Sequence, residues 1–259
     1  MKKLDSKIID GSFLMNRTRI EWVKNPDGTQ GFSSNPIKGI CKGGCSYCYA
    51  KQSYRLHKWD PKIRFDHEEF HKLFKRKKPT GIFLCSTHEL FGDWIPKYWR
   101  YLIYELIEQS PQHRFYILTK HPENIPWPEM PDNVWLGVTI TGEQSDEDQL
   151  FLLEQLVRVK ATLHFVSFEP LLGPIASEVL DYIESFDIVR WVIVGAQTQP
   201  IKLPELEWLN EIIDCVWYGA MDSVALFMKD NLCKMAPAIK EFQEWELGDG
   251  MIQEFPKGK

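Results

Sequence analysis

The chain has 259 residues, 44% of them apolar and 26% charged, and a formal net charge of −5. A chain of this length buries about 70–75% of its unfolded surface and needs no disulfide or metal staple to hold a core. The acidic balance excludes a duplex nucleic-acid binder built on a broad basic face, and no apolar run approaches the roughly 20 residues of a membrane span.

The amino terminus, MKKLDSKIID, carries two lysines but no apolar stretch of the kind a secretory leader needs. The expected compartment is the cytoplasm, where the six cysteines are reduced thiols or metal ligands. Residues 1–40 are rich in Gly, Pro, Asn and Ser and hold one strand-like piece, Arg19–Val23. The next feature is Cys41-Lys-Gly-Gly-Cys45-Ser-Tyr-Cys48-Tyr, a C-x3-C-x2-C motif. Gly39, Gly43 and Gly44 give this loop the freedom to converge three sulfurs. Three ligands leave one coordination position open. A structural zinc site wants four ligands, whereas a four-iron cluster on three cysteines keeps one iron free for a ligand. Zinc with His57 as a fourth ligand is the alternative, with His57 otherwise capping or flanking the following helix. The run Lys75-Arg76-Lys77-Lys78 follows an apolar helical stretch and reads as a solvated helix end. His67 and His71 lie on that same amphipathic piece.

From residue 80 the pattern is regular. Strands are predicted at Gly81–Cys85, Arg114–Leu118, Val134–Val138, Leu163–Ser167, Trp191–Val194 and Val224–Met228. Helical stretches between them include Lys97–Gln109, Asp146–Val159 and Glu205–Cys215, the second opened by a capping box from Ser145 to Asp148. The strand runs are continuously apolar, as in parallel strands covered on both faces. The fold class is therefore α/β, a partial (β/α)6-type barrel with parallel strands and the cysteine loop after the first strand. One domain is expected over 1–259, with 1–18 as an N-terminal and 231–259 as a C-terminal extension. Cys85, Cys215 and Cys233 lie in or beside apolar runs and read as small buried hydrophobes.

In such a barrel chemistry sits at the C-terminal strand ends. Those ends offer Ser86, Thr87, His88 and Glu89; Thr119, Lys120 and His121; Thr139 and Thr141; Ser167 and Glu169; Gln197; and Lys229 and Asp230. Lys229 is placed to neutralise Glu169 across the mouth. Trp94, after Phe91-Gly92-Asp93, is a candidate to stack on a flat ligand.

The cysteine spacing, with Tyr47 just before the third cysteine, resembles the signature of the radical S-adenosylmethionine superfamily. Ile117-Leu-Thr-Lys120, Val134-Trp-Leu-Gly-Val-Thr139, Ser167-Phe-Glu-Pro-Leu-Leu-Gly-Pro-Ile175, Trp191-Val-Ile-Val-Gly195 and Phe227-Met-Lys229 resemble a family first described from phage proteins, over roughly residues 19–230. Two positions depart from its pattern: His121 stands where an arginine is usual, and Gly195-Ala-Gln-Thr198 replaces a Gly-Gly-Glu-Ser-like turn.

The resemblance implies a [4Fe-4S] cluster on Cys41, Cys45 and Cys48, with S-adenosyl-L-methionine as cofactor and an external one-electron reductant of flavodoxin or ferredoxin type. Reductive cleavage would give a 5′-deoxyadenosyl radical that takes a hydrogen atom from the substrate. Tyr47 would lie along the adenine; Ser86, Thr87 and Lys120 would meet ribose or carboxylate; Thr139, Ser167 and Gln197 complete the expected cofactor-binding set. The activity it points to is that of queuine lyase, which cleaves a C–N bond in a 7-deazaguanine base and releases 7-aminomethyl-7-deazaguanine in queuosine salvage. Such a substrate needs acceptors, and His67, Glu89, Asp93 and Glu169 are the candidate contacts; Glu169 and Lys229 are the catalytic candidates. The alternatives are radical chemistry on another small molecule, a peptide or a nucleic acid, and a non-catalytic zinc-binding interaction module.

Overall fold

The computed structural model describes residues 16–220, 223–235, 237–239 and 251–256. Its elements in chain order begin with β1 (Asn16–Arg17), β2 (Phe32–Ser34), β3 (Ile37–Lys38), α1 (Tyr49–Leu56), β4 (Arg64–Phe65) and α2 (His67–Lys75). Next come β5 (Gly81–Leu84), α3 (Lys97–Glu108), β6 (Arg114–Thr119), β7 (Val134–Thr139), α4 (Asp146–Val157) and β8 (Leu163–Phe168). The chain continues through α5 (Ser177–Ser185), β9 (Val189–Val194), β10 (Gln197–Thr198), β11 (Ile201–Lys202), α6 (Leu206–Ile213) and β12 (Ala225–Met228). Ser145 caps α4, accepting the Asp148 N–H at 3.2 Å as the capping box requires.

Eight strands form one sheet in the order β1-β2-β5-β6-β7-β8-β9-β12. Only β1 pairs antiparallel, and the other seven run parallel. The order follows the chain without reversal, so the sheet winds in one direction. Its curvature shows in the aromatic rings inside it. Tyr116 on β6 and Trp191 on β9 have centroids 6.4 Å apart, although a flat sheet would separate strands three apart by about 14 Å. The sheet therefore curls around its own side chains, and the two edge strands do not pair with each other. This is a partial βα barrel.

Strand periodicity sorts the side chains. Ile82, Leu84, Phe115, Ile117, Leu136, Val138, Val166, Phe168, Val192, Val194, Leu226 and Met228 face outward into the main core with the helices. Phe83, Tyr116, Trp135, Phe165, Trp191, Ile193 and Phe227 face inward and pack around Trp22. Gly137 is required here, because a Cβ would come within 2.4 Å of the Phe165 ring.

Several expectations are corrected. Arg19–Val23 is a turn, not a strand. Its Ile20 and Val23 carbonyls accept the Gln30 side-chain amide at 2.7 and 3.0 Å, so no neighbouring strand is needed. The first parallel strand is instead β2, and the cysteine loop follows it. The β6–β7 crossover holds no α-helix, only a 3₁₀ turn at Pro122–Asn124, because Pro122, Pro126, Pro128 and Pro131 interrupt it. Cys233 is exposed, since Leu232 and Met235 take the buried positions of its turn. Residues 251–256 return to the barrel: Met228 N–H donates to the Ile252 carbonyl at 2.7 Å, and Trp191 Nε1–H to the Glu254 carbonyl at 3.1 Å. The remainder of the expected extensions, 1–15 at one end and 236, 240–250 and 257–259 at the other, lies outside the described residues. Among the described residues no helix is long and apolar enough to cross a membrane.

Candidate functional site

The inward parity of each strand continues past its C-terminal end. It carries Lys120 after Tyr116 and Leu118, Thr139 after Trp135 and Gly137, Ser167 and Glu169 after Phe165, Gly195 after Ile193, and Lys229 after Phe227. At this mouth are two adjoining cavities. The smaller, about 160 Å³, is lined by Cys41, Cys45, Cys48, Tyr47 and Tyr49 with Cys85, Ser86, Thr87, His88, Glu89, Lys120, His121 and Thr139. The larger, about 490 Å³, shares Tyr47, Tyr49, Ser86, Thr87, Lys120 and Thr139 and extends to Arg19, Trp22, Asn35, Glu169, Gln197 and Lys229.

The cysteine loop is shaped by its backbone. Gly44 has φ +73° and Gly39 φ +104°, and at Gly39 a Cβ would meet the Lys62 carbonyl at 2.5 Å. Cys48 is the N-cap of α1, its Sγ accepting the Lys51 N–H at 3.4 Å, and Cys41 Sγ accepts the Gly43 N–H at 3.3 Å. Burial pushes the Cys41 thiol up, against the Gly43 N–H that lowers it. Cys85 differs: it is fully enclosed and burial raises it to about 12, so it stays a neutral thiol. Cys215 is likewise buried and pushed up to about 12 by burial.

Among the described residues no group of three or more His, Cys, Asp or Glu side chains is arranged to hold a single metal ion. His57 caps the far end of α1 and stacks on Trp59 at 5.0 Å, outside both cavities. The zinc arrangement with His57 is thus not formed. The donor set fits a polynuclear cluster, in which each thiolate binds a different iron and the sulfurs need not converge on one point. Three thiols face one cavity, two of them already accepting backbone N–H bonds as thiolate ligands do.

Around them, Tyr47 lies with its ring 5.9 Å from Lys120 Nζ, and burial, with Cys45 beside it, holds its phenol above the usual range. Ser86 Oγ and the Thr87 N–H both donate to Asn35 Oδ1, at 3.2 and 3.0 Å, and Tyr49 Oη donates to the Ser86 carbonyl at 2.8 Å. Thr139 Oγ1, Ser167 Oγ and Trp22 Nε1 are buried without hydrogen-bond partners, and Thr139 and Ser167 are direct neighbours in register. Thr139 and Trp22 line a cavity, where an orphaned polar atom is what a bound polar ligand would satisfy; Ser167, an expected cofactor contact, is fully buried and lines neither cavity.

At the opposite wall, Lys229 Nζ donates to Glu169 and lies 3.6 Å from Glu21 Oε2. Burial pulls the lysine pKa down, but Glu169 and Glu21 outweigh it and hold it above the usual range. The expected neutralisation of Glu169 by Lys229 is formed. Gln197 lines the larger cavity and donates to the Pro200 carbonyl at 2.9 Å.

Other candidates are placed differently. Glu89 lines the smaller cavity, but its carboxylate already accepts from the Phe91 N–H, Thr119 Oγ1 and the Lys120 N–H at 3.0, 2.6 and 2.9 Å. It pins the β5 and β6 loops together. His67 is exposed at the start of α2, against Phe65, and Asp93 is exposed; neither reaches a cavity. Trp94 does not line a cavity. It lies beneath Gly43 of the cysteine loop, 3.9 Å from where a Cβ would stand, edge-on to His121. Glu21, Asn35 and Tyr49 were not among the expected residues. Asn35 follows a three-residue strand with no apolar run to mark it, and Glu21 sits in the turn read as a strand.

No curated protein matches the sequence. The backbone is similar to two structures of spore photoproduct lyase. One is a mutant with bound AdoMet and dinucleoside spore photoproduct, with a TM-score of 0.49; the other is complexed with dinucleoside spore photoproduct, with a TM-score of 0.47. Each is 12% identical over 82% of this chain and 66% of the other, so the chain spans just under two thirds of the length of those structures. Residues 17–247 match the family described as Protein of unknown function (DUF5131), and the chain belongs to that family.

Proposed function

We propose that the protein is a radical S-adenosylmethionine enzyme whose [4Fe-4S] cluster is held by Cys41, Cys45 and Cys48. The observation that carries this is the placing of all three thiols, from one glycine-rich loop, on one cavity at the C-terminal mouth of a partial βα barrel. Cys41, Cys45 and Cys48 would hold the cluster, and once bound it would supply the one-electron reduction on which cleavage of S-adenosylmethionine depends.

The chain's own groups bind and orient. Tyr47, Ser86, Thr87, Lys120 and Thr139 line both cavities and are the cofactor-binding set, with Gln197 on the larger cavity beside them. Ser167 stands beside Thr139 in register with an unpaired hydroxyl, behind the cavity wall rather than on it. The adjoining larger cavity is the substrate site, and Glu169, presented by Lys229 and Glu21, is its charged anchor. The substrate we propose is a 7-deazaguanine base of queuine type, cleaved at its C–N bond. This finer reading is supported by the motif resemblance and by a cavity that offers a carboxylate to a donor-rich heterocycle.

The test is anaerobic reconstitution with iron and sulfide, with S-adenosylmethionine and a reductant then added. The expected result is a brown protein that forms 5′-deoxyadenosine, faster with queuine, and that loses cluster and activity in Cys41→Ala, Cys45→Ala or Cys48→Ala. Cys215→Ala and Cys233→Ser keep both. Full cluster content after loss of a motif cysteine overturns the ligand set. No 5′-deoxyadenosine from the clustered protein overturns the radical reading. Formation of 5′-deoxyadenosine without any 7-aminomethyl-7-deazaguanine removes the queuine assignment alone.

A further inference from the structure

Between Lys42 and Arg64 six cations accompany a single acid, Asp60, in a chain whose net charge is −5. Asp60 is used by Arg64, 3.2 Å away. Lys42, Lys51, Arg55, Lys58 and Lys62 have no ion-pair partner among the described residues, and all but the half-buried Lys51 are exposed. Two large apolar side chains stand among them, Leu56 at 77% and Trp59 at 53% exposure.

This patch is fixed to the cysteine loop. The Ile40 N–H donates to the Pro61 carbonyl at 2.9 Å, and the Gly39 N–H to Tyr54 Oη at 2.7 Å. Trp59 packs edge-on against the same Tyr54 at 5.4 Å. Lys51 and Arg55 are one turn apart on α1, the helix that Cys48 caps. The loop that places Cys41 and the helix that places Cys48 are thus the elements that carry this positive charge.

We propose that this surface, centred on Arg55, Leu56, Trp59 and Lys62, docks a small acidic protein that carries a one-electron centre. The inference rests on the cysteines holding a redox cluster. Charge complementarity chooses the occupant: an acidic carrier is steered to this cationic region of an otherwise anionic protein, and its approach there sets it against the outer side of the cluster loop. Leu56 and Trp59 supply the apolar centre of a contact whose rim is charged.

The experiment titrates a bacterial flavodoxin, an acidic one-electron carrier, into the protein with and without its cluster. The protein is either unaltered or the Arg55→Glu/Lys62→Glu variant, whose side chains make no contact with either cavity. Binding is read calorimetrically at low salt and at about 0.3 M salt, where the Debye length is well under 10 Å. The expected result is binding that weakens about tenfold with salt and about tenfold again in the variant, with or without cluster. S-adenosylmethionine cleavage driven by reduced flavodoxin falls with it. Cleavage driven by dithionite and methyl viologen stays within about twofold.

Equal flavodoxin affinity in the two proteins overturns the proposal. So does an equal loss of cleavage with both reductants, or a variant that loses binding only to a single-stranded RNA oligomer. Failure of the cluster to form rejects the radical reading instead, while the cluster-free titration still decides the docking surface.

Discussion

Lys229 and Glu169 meet across an intervening strand. Glu169 follows β8 and Lys229 follows β12, while β9 runs between them in the sheet. That strand ends at Val194, and at the next residue, Gly195, a Cβ would stand 2.9 Å from Lys229 Cδ and 3.1 Å from Glu169 Cγ. The ion pair exists because the middle strand withdraws its side chain at the level where the outer two reach toward each other. It is largely shielded from solvent, so each charge depends on its partner in a way that surface pairs do not.

Gly195→Ala is expected to push this pair apart while keeping the barrel. Overpacking of this kind costs about 1–3 kcal/mol, read as a lower urea midpoint. Turnover is expected to fall further than the stability loss alone would account for, since Glu169 then faces the cavity from a different position. A variant with unchanged stability and turnover would show that the ion pair tolerates the methyl group and that the glycine is not required.

Trp22 supplies the floor beneath the site. Its ring lies 5.0 Å from Phe83 and 5.8 Å from each of Tyr116, Phe165 and Trp191, and so ties β5, β6, β8 and β9 together from inside. Trp22→Ala is expected to cost about 3–5 kcal/mol, while Trp22→Phe keeps a six-membered ring among the same neighbours, loses the five-membered ring with its N–H, and is expected to cost less. Thermal unfolding of the two variants checks this. Equal behaviour of both would mean that ring volume is not what the barrel interior needs.

How far these features are legible from sequence depends on what marks them. Six of the parallel strands are visible as continuous apolar runs, and their alternation alone is enough to put Lys120, Thr139, Ser167, Glu169 and Lys229 on the inward face at the mouth. Phe32–Ser34 has no such run, because only one of its three residues is apolar. Arg19–Val23 has strand-like composition, but its carbonyls are satisfied by the side chain of Gln30 rather than by a neighbouring ladder, a partner that local pattern does not reveal. Glu89 and Asp93 look equivalent in sequence. They separate only when the β6 loop arrives to occupy one carboxylate and leaves the other in solvent.

Stability is expected to fall with pH on the acid side through two histidines remote from the site. His164 is buried with Nε2 2.7 Å from the Val159 carbonyl, and His113 is buried with Nε2 3.1 Å from the Arg76 carbonyl. Burial holds both below the ordinary value of 6.5. As pH falls through the unfolded value, the unfolded chain takes up protons that the folded chain refuses. The stabilisation is therefore fully present above about pH 6.5 and is lost as pH drops toward the folded-state values, by up to about 1.4 kcal/mol per pH unit for each histidine. Urea midpoints across this range check the slope. In His164→Gln the slope should be shallower, and an identical slope would remove His164 from the account.

The charge of Glu169 carries the sharpest expectation about the site itself. Lys229 has two carboxylate neighbours, so Glu169→Gln leaves it paired with Glu21 at 3.6 Å and does not strand a buried cation. The substitution keeps the volume, and the cysteine loop, on the far wall, has no contact with it. Folding and cluster content are therefore expected to survive. What changes is the larger cavity, which loses its carboxylate and is left with the cations of Arg19, Lys120 and Lys229. A ligand that presents an amine or a pair of N–H donors would lose its charged acceptor. The expected loss in kcat/KM for queuine is at least about tenfold, or about 1.4 kcal/mol, with little change in the 5′-deoxyadenosine formed without substrate. Unaltered kcat/KM in a folded, clustered Glu169→Gln protein would release Glu169 from substrate binding and leave it only as the partner that orients Lys229.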